Sequence, residues 1–342
     1  MAGRNSHCSS LHRGGLLMIV FIIRRSMQSG VVLLLMSLLV FVGVYAIGNP
    51  VDILISPEAT PQEYDDAIKA MGLDKPMWSQ YLTFLNGALH GDLGNSFVFN
   101  EPALKLILQR LPATLELAFG ALFIAIFLGI PLGLIAGIKS ETWLGRSIMS
   151  GSILGFSVPT FWVGLMMIMV FAVMLGWLPA SGRGQTTDIF GIPVSFLSLD
   201  GLSHILLPAI NLGLFKLSLT IRLTRAGTRE NLQLDYVKFA RAKGLTNARV
   251  IGVHVLKNIL IPVVTVLGLE LGSLIAFAVV TETIFAWPGM GKLLIDSIGV
   301  LDRPIIVAYL LITVTMFIII NFVVDVLYSV LDPRVRLGGE KI

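Results

Sequence analysis

Apolar runs of about 17 residues or more, the length at which an α-helix spans roughly 30 Å of hydrocarbon, recur six times along this chain. They run from about Val31 to Ile47, Ala113 to Ile138, Ile148 to Leu175, Ile205 to Ile221, Ile259 to Phe285 and Pro304 to Tyr328. Several contain Pro or Gly, as membrane helices tolerate. A bilayer is therefore the solvent for most of the chain. Composition agrees, because only 13% of the 342 residues are charged, against about a quarter in a soluble domain. The single cysteine, Cys8, leaves no disulfide framework, and the five histidines lack ligand spacing. Neither a metal site nor a cofactor is expected.

Charge sorts the connecting segments in alternation. The N-terminal stretch, 139–147, 222–258 and the tail together hold 17 bases and 5 acids, whereas 48–111, 176–204 and 286–303 hold 7 bases and 12 acids. The positive-inside rule then places both termini and 222–258 in the cytoplasm of a bacterial inner membrane. A net charge of +4 thus reports orientation, and nucleic acid is not an expected partner. Residues 1–17 read as a polar, basic extension ahead of Met18, which begins the more typical opening MIVFIIRR. A cleaved signal peptide ending near Ala46-Ile47-Gly48 is the other reading, set aside because the apolar run is long for one. The chain divides into this extension, a first span with its periplasmic segment over 18–112, a five-helix core over 113–331 carrying loop 222–258, and a tail over 332–342.

Two motifs suggest chemistry and do not fit it. Gly289-Met290-Gly291-Lys292 has the look of a phosphate loop, but the pattern needs Gly at 286 and Ser or Thr at 293, where Ala286 and Leu293 stand. Turn formation at Trp287-Pro288-Gly289 is the better reading. Gly155-Phe156-Ser157 resembles the G-x-S core of intramembrane serine proteases, yet His204 and His254 lie at the wrong levels to serve as its base. Pro159 accounts for a kink there without catalysis. No enzyme activity of the chain's own is expected.

Charges within spans cost about 2.5 to 3.5 kcal/mol each at mid-bilayer. Glu116, Glu282 and Asp325 fall near span ends, within reach of water. Lys216 and Glu270 fall about 8 and 16 Å from the inner ends of spans four and five. Either charge alone would be uncompensated, so the two are expected to form an ion pair between those spans. Ser157, Thr160, Thr281, Glu282 and Asn321 are polar residues within spans and candidates for lining a pathway. In the outer segment, Trp78, Tyr81, Phe84 and Leu85 share helical spacing and predict an amphipathic helix on the membrane or beneath a docked partner.

Segment 222–258 is too basic and too long for a simple hairpin. Tyr236 to Gly244 predicts a short helix stopped by glycine, and Thr246-Asn247 predicts the cap of a second running through Val250 to Lys257. Two short helices at an angle make a protruding knob, with Ala240, Ala242 and Gly244 small enough for close approach and Arg241 and Lys243 offering charge. A basic face resting on anionic lipid headgroups is the alternative.

At these residues the sequence resembles a known family. Ala240-Arg241-Ala242-Lys243-Gly244-Leu245, followed by Asn258 to Pro262, is similar to the EAA-type cytoplasmic loop of ABC-importer permeases of the dipeptide, oligopeptide and nickel branch. Its dipeptide-permease B-type subunits are also resembled at Gly72-Leu73-Asp74-Lys75-Pro76, Gly91-Asp92-Leu93-Gly94 with Ser96, Pro112-Ala113-Thr114-Leu115-Glu116, and Thr281 to Phe285 running into Trp287-Pro288-Gly289. Asp325 to Tyr328 with Asp332-Pro333-Arg334 completes a likeness extending from about Met18 to Arg336. Lys238 stands where the general pattern has Glu, and Lys216 and Glu270 stand where similar permeases are uncharged.

The resemblance implies a type I importer fold of six transmembrane helices, all-α, with both ends cytoplasmic. It also implies a multi-pass channel subunit importing di- or oligopeptides. Implied partners are a second, similar permease, two cytoplasmic ATPases gripping residues 240–244, a periplasmic binding protein, and membrane lipid. Nickel, glutathione, opines and oligosaccharides are alternative solutes within the family. A secondary transporter is the alternative outside it, and would be expected to show internal repeats that are not seen here.

Overall fold

Long helices dominate because the apolar runs carry few residues able to compete with their own backbone hydrogen bonds. The computed structural model describes residues 6–46, 51, 60–70 and 73–331, with side chains over 23–43, 51, 60–69 and 73–327. In chain order the helices are α1 (Ser6–Ala46), α2 (Pro61–Ala70), α3 (Met77–Leu89), α4 (Ala103–Ile138), α5 (Trp143–Ser157), α6 (Thr160–Met174), α7 (Leu199–Gln233), α8 (Asp235–Ala242), α9 (Asn247–Ile284), α10 (Met290–Gly299) and α11 (Arg303–Leu331). A hairpin of β1 (Thr187–Ile189) and β2 (Ile192–Val194) lies between α6 and α7. Residues 1–5, Gly72 and the tail from 332 lie outside the described residues, as do the cleavage triplet's Ile47 and Gly48.

Among the described residues, five helices are long and apolar enough to cross a membrane: Ile23–Gly43 of α1, α4, α7, α9, and Arg303–Leu327 of α11. The expected third span is not one helix. It breaks at Val158-Pro159 into α5 and α6, bent by 104°. Val158 is extended (φ −89°, ψ 134°) and Pro159 caps α6, because a residue before proline is pushed out of the helical region. Counted as one broken crossing, the pair brings the total to six. The other spans are longer than hydropathy alone marked. α4 begins at Ala103, and α7 and α9 extend past the apolar runs into the cytoplasmic segment.

Contacts divide the chain into two units, Met1–Leu106 with Ser297–Ile342, and Ile107–Asp296. In the first, α1 packs along α11, with Arg25 Nη2 2.6 Å from Asp325 Oδ2. The amphipathic α3 forms as the spacing requires, turning Tyr81 and Phe84 onto Phe41 of α1 at ring separations of 5.4 and 5.8 Å. Trp78 remains exposed. The Gly91–Ser96 loop is held by the fully buried Asp302, which accepts from the Ser96 hydroxyl and from the Phe97 amide at 3.2 Å.

In the second unit α4 and α7 approach closely along a stripe of small residues. Gly129, Gly133 and Gly137, spaced one helical turn apart, face Thr220, Thr224 and Thr228. A Cβ on these glycines would lie 2.7, 2.6 and 2.5 Å from the respective threonine Cβ atoms. Small residues at this spacing let backbones meet where no hydrophobic effect drives helices together.

Candidate functional site

The knob forms much as its sequence predicts. α8 ends at Ala242, and Gly244 takes a left-handed φ of +78° that a side chain would resist. Thr246 caps the next helix, its hydroxyl accepting from the Arg249 amide at 3.4 Å. That helix does not stop at the membrane face. Val250–Val255 is π-helical and runs directly into Leu256–Ile284, so the knob and the fifth apolar span are one continuous rod, α9. Tyr236 ties the elbow together, donating to Asn231 Oδ1 at 2.7 Å and accepting from Asn258 Nδ2 at 3.0 Å.

Ala240, expected on the docking surface, is buried within the chain. With Val237 it packs on Val250, Val255, Ile259, Val263 and Leu267, and partly buried Leu122, Ile126 and Ile130 of α4 join the same core. Helical geometry explains this: Val237 and Ala240 are three residues apart and face inward together. Arg241, Ala242, Lys243 and Gly244 are exposed, beside an exposed Phe239 whose ring lies 4.6 Å from Lys243 Nζ. Asp235 opens α8 with its carboxyl lowered below the usual carboxylate value, chiefly by the hydrogen bond from Lys238 at 2.9 Å. Lys238 therefore serves its own helix.

The pathway candidates separate. Thr281 and Glu282 are buried and braced within the chain. Asn211 Nδ2 donates to Thr281 Oγ1 at 3.2 Å. Glu282 accepts from Thr114 Oγ1 at 2.6 Å and from the Lys292 amide at 2.9 Å. Thr114 in turn accepts from the Met290 amide at 2.9 Å, and Trp287 Nε1 donates to the Ala113 carbonyl at 2.8 Å. A Cβ on Gly289 would fall 2.3 Å from the Glu282 carboxyl, so the Gly289-Met290-Gly291 run wraps an internal carboxylate, not a phosphate. Ser157 and Thr160 are exposed at the α5/α6 break, and Asn321 is half-buried on α11.

Lys216 and Glu270 are brought together. The Lys216 ammonium donates to Glu270 Oε2 and to Ser273 Oγ at 2.8 Å.

One buried network escaped the sequence reading. Glu116, expected at a wet span end, accepts from Arg183 Nη2 at 2.9 Å, the Ser195 amide at 2.6 Å and the Ser195 hydroxyl at 2.6 Å. Arg183 also donates to the Pro193 carbonyl at 2.6 Å, fixing the β1-β2 hairpin to α4. The signal was thin: Arg183 is the one Lys or Arg of segment 176–204, but Asp188 and Asp200 lie nearer to it in sequence than Glu116 does.

Residues 129–337 match the family described as the binding-protein-dependent transport system inner membrane component, and residues 18–118 match the N-terminal model of the same class of membrane component. The chain belongs to this family. Among its relatives, the di/tripeptide transport system permease protein DppB of Pseudomonas aeruginosa is 43% identical over 302 residues, covering 84% of this chain and 90% of the relative. The dipeptide transport system permease protein DppB of Escherichia coli is 39% identical, covering 93% of this chain and 99% of the relative. The oligopeptide transport system permease protein AppB of Bacillus subtilis is 36% identical, covering 93% and 100%. A chain of the MetNI methionine ABC transporter in an inward-facing form shares the fold, with TM-score 0.51 and 16% identity over 67% of this chain and 97% of that one. The protein is thus a multi-pass inner-membrane subunit with the type I importer fold. Its transport system includes a substrate-binding protein and separate subunits that hydrolyse ATP.

Proposed function

We propose that this chain is one of two similar permease subunits forming the channel of a peptide importer, coupled to a pair of cytoplasmic ATPases through α8 and Gly244. The observation that carries the peptide reading is similarity over nearly the whole length of a dipeptide permease, 93% of this chain against 99% of the relative. Nickel, glutathione, opine and oligosaccharide import have no comparable support.

The mechanism is that of a lever. The exposed residues 241–244 are the ATPase contact, and Ala240 and Val237 key α8 onto the base of α9, so a push on the knob is transmitted by packing. α9 carries the displacement into the membrane without an intervening loop. The α5/α6 break, where Ser157 and Thr160 are exposed, is the corner about which that wall can bend.

Co-purification tests the coupling. The wild-type chain brings an ATPase and a second permease from membranes, whereas a charge reversal at Arg241 and Lys243 keeps the permease partner and loses the ATPase. Retention of the ATPase by that variant contradicts the lever.

A further inference from the structure

Within the apolar stretches of α7 and α9 lies a run of groups that the lever does not use. Lys216 stands seventeen residues from either end of α7, and Glu270 fourteen residues before Ile284 at the end of α9. Both therefore sit about 21 to 26 Å below the outer ends of their helices. Counted from the inner ends of the apolar runs, the two lie roughly 8 to 16 Å into the hydrocarbon layer. The Lys216 side chain is closed in at 9% exposure, but that of Glu270 is 31% exposed. Ser273 Oγ donates to Glu270 Oε2 at 2.7 Å, the same oxygen that takes the Lys216 ammonium. Among the described residues no donor reaches Oε1. A carboxylate edge left open at that depth faces a bundle interior or a water-filled cavity, not hydrocarbon.

The groups beside it continue the pattern. The Phe215 ring lies 5.2 Å from Lys216 Nζ and stacks on Phe156 at 4.4 Å, and the Arg222 guanidinium lies 4.6 Å from the Phe156 ring. Phe215 and Arg222 are seven residues apart, two turns, and share a face of α7. Phe156 and Phe215 are 41% and 37% exposed, and Arg222 is half-buried, its Nε enclosed and its guanidinium resting on the Phe156 ring. Phe156 is two residues before the broken point of the span. An open carboxylate oxygen, two aromatic faces and a guanidinium thus follow one another across the α5/α7/α9 surface.

We propose that this run is a contact station for zwitterionic short peptides. Glu270 Oε1 receives the peptide ammonium, Phe215 and Phe156 take apolar side chains, and Arg222 takes the carboxylate. A zwitterionic peptide carries two separated opposite charges, and as it leaves the hydrocarbon layer toward the inner end of α7 each must meet a counter-charge. Lys216 keeps Glu270 paired when no solute is present, so the empty pathway holds no lone acid. The assignment rests on the peptide-importer reading.

The test uses the complete importer, reconstituted in proteoliposomes with its second permease, ATPases and binding protein, and follows uptake of a radiolabelled dipeptide. The double variant K216M/E270Q removes both charges and leaves neither orphaned, and R222Q probes the other end. Uptake is expected to fall at least tenfold in each, while assembly and the stimulation of ATP hydrolysis by the peptide-loaded binding protein persist. Wild-type uptake by K216M/E270Q makes the pair a helix brace only and overturns the assignment. Loss of stimulated ATP hydrolysis along with uptake in both variants places the defect in coupling and overturns it equally. A wild-type complex that takes up no dipeptide sinks the peptide reading and the station with it, which is distinguishable because no variant is needed to see it.

Discussion

Thr114 and Glu282, 168 residues apart in sequence, share a 2.6 Å hydrogen bond in a site where both are buried. Each belongs to a motif by which the chain resembles its family, so the two motifs meet in space as one brace between α4 and the turn into α10. Thr114→Val removes a donor from the Glu282 carboxylate and an acceptor from the Met290 amide, groups buried away from water. Each orphaned group costs about 1–3 kcal/mol, and thermal unfolding in detergent is expected to fall accordingly. Gly289→Ala is expected to be worse, because its methyl group meets the Glu282 carboxyl.

Arg183 is the counter-charge to Glu116 and the anchor of the β1-β2 hairpin. Removing one partner of a buried pair costs about 3–5 kcal/mol. Arg183→Met is therefore expected to destabilise the protein strongly and to open residues 187–194 to protease, whereas Glu116→Gln with Arg183→Met recovers part of the loss. Unchanged cleavage of the hairpin in Arg183→Met contradicts this anchoring.

The α4–α7 stripe makes a steric prediction. Gly133→Ala sets a methyl group 2.6 Å from the Thr224 Cβ, and overpacking of this kind costs about 1–3 kcal/mol. Gly133→Ala combined with Thr224→Gly removes the side-chain clash but leaves the Ile221 carbonyl 2.8 Å from the new methyl group, and is expected to regain only part of the stability. Independent, additive losses in a double-mutant cycle would mean that the two positions do not touch.

How much of this was legible from sequence depended on the kind of signal. Spans, orientation and the knob followed from apolar run length, charge sorting and cap residues, all local in the chain. The Lys216–Glu270 approach was legible because two charges at similar depth in hydrocarbon have few alternatives. The 104° break at Val158-Pro159 was visible as a proline but not as a corner, since a membrane helix often absorbs proline with a mild kink. The inward turn of Ala240 and the burial of Thr281 and Glu282 were missed because small or polar residues read as surface until their neighbours are known. Glu116 was read from its position near a span end, and its partners, Arg183 and Ser195, lie 67 and 79 residues away.

Gly244 separates backbone from contact. No atom lies within 4 Å of a Cβ built there, so the free chain tolerates bulk, and the left-handed φ is the only internal objection. Asn accepts that conformation and Val does not. Gly244→Asn is expected to insert and retain the ATPase, and Gly244→Val to insert at wild-type levels and lose transport. Normal transport by Gly244→Val contradicts a requirement for the left-handed turn at this corner.

The start of α2 supplies a pH test outside the membrane. Thr60 and Glu63 form a reciprocal cap: the Thr60 amide donates to Glu63 Oε2 at 2.8 Å, and the Glu63 amide donates to Thr60 Oγ1 at 3.4 Å. The Thr60 amide, with help from its hydroxyl, holds the Glu63 carboxyl below its ordinary value of 4.5. A lowered folded pKa means the cap's contribution is full above the unfolded value and is lost as pH falls through the folded one. Amide exchange over 61–70 is expected to be flat from neutral pH down to about 4.5, once corrected for intrinsic rates, and to accelerate below it. Glu63→Gln removes that dependence.

The central claim is that this chain moves peptides when ATP hydrolysis in its partners pushes the knob. ATP-dependent accumulation of a labelled dipeptide in proteoliposomes, with binding protein outside and Gly244→Val as the control, measures it directly. Accumulation that requires ATP and binding protein and vanishes in the control is the expected result. Uptake that proceeds without ATP and follows an imposed ion gradient would contradict it.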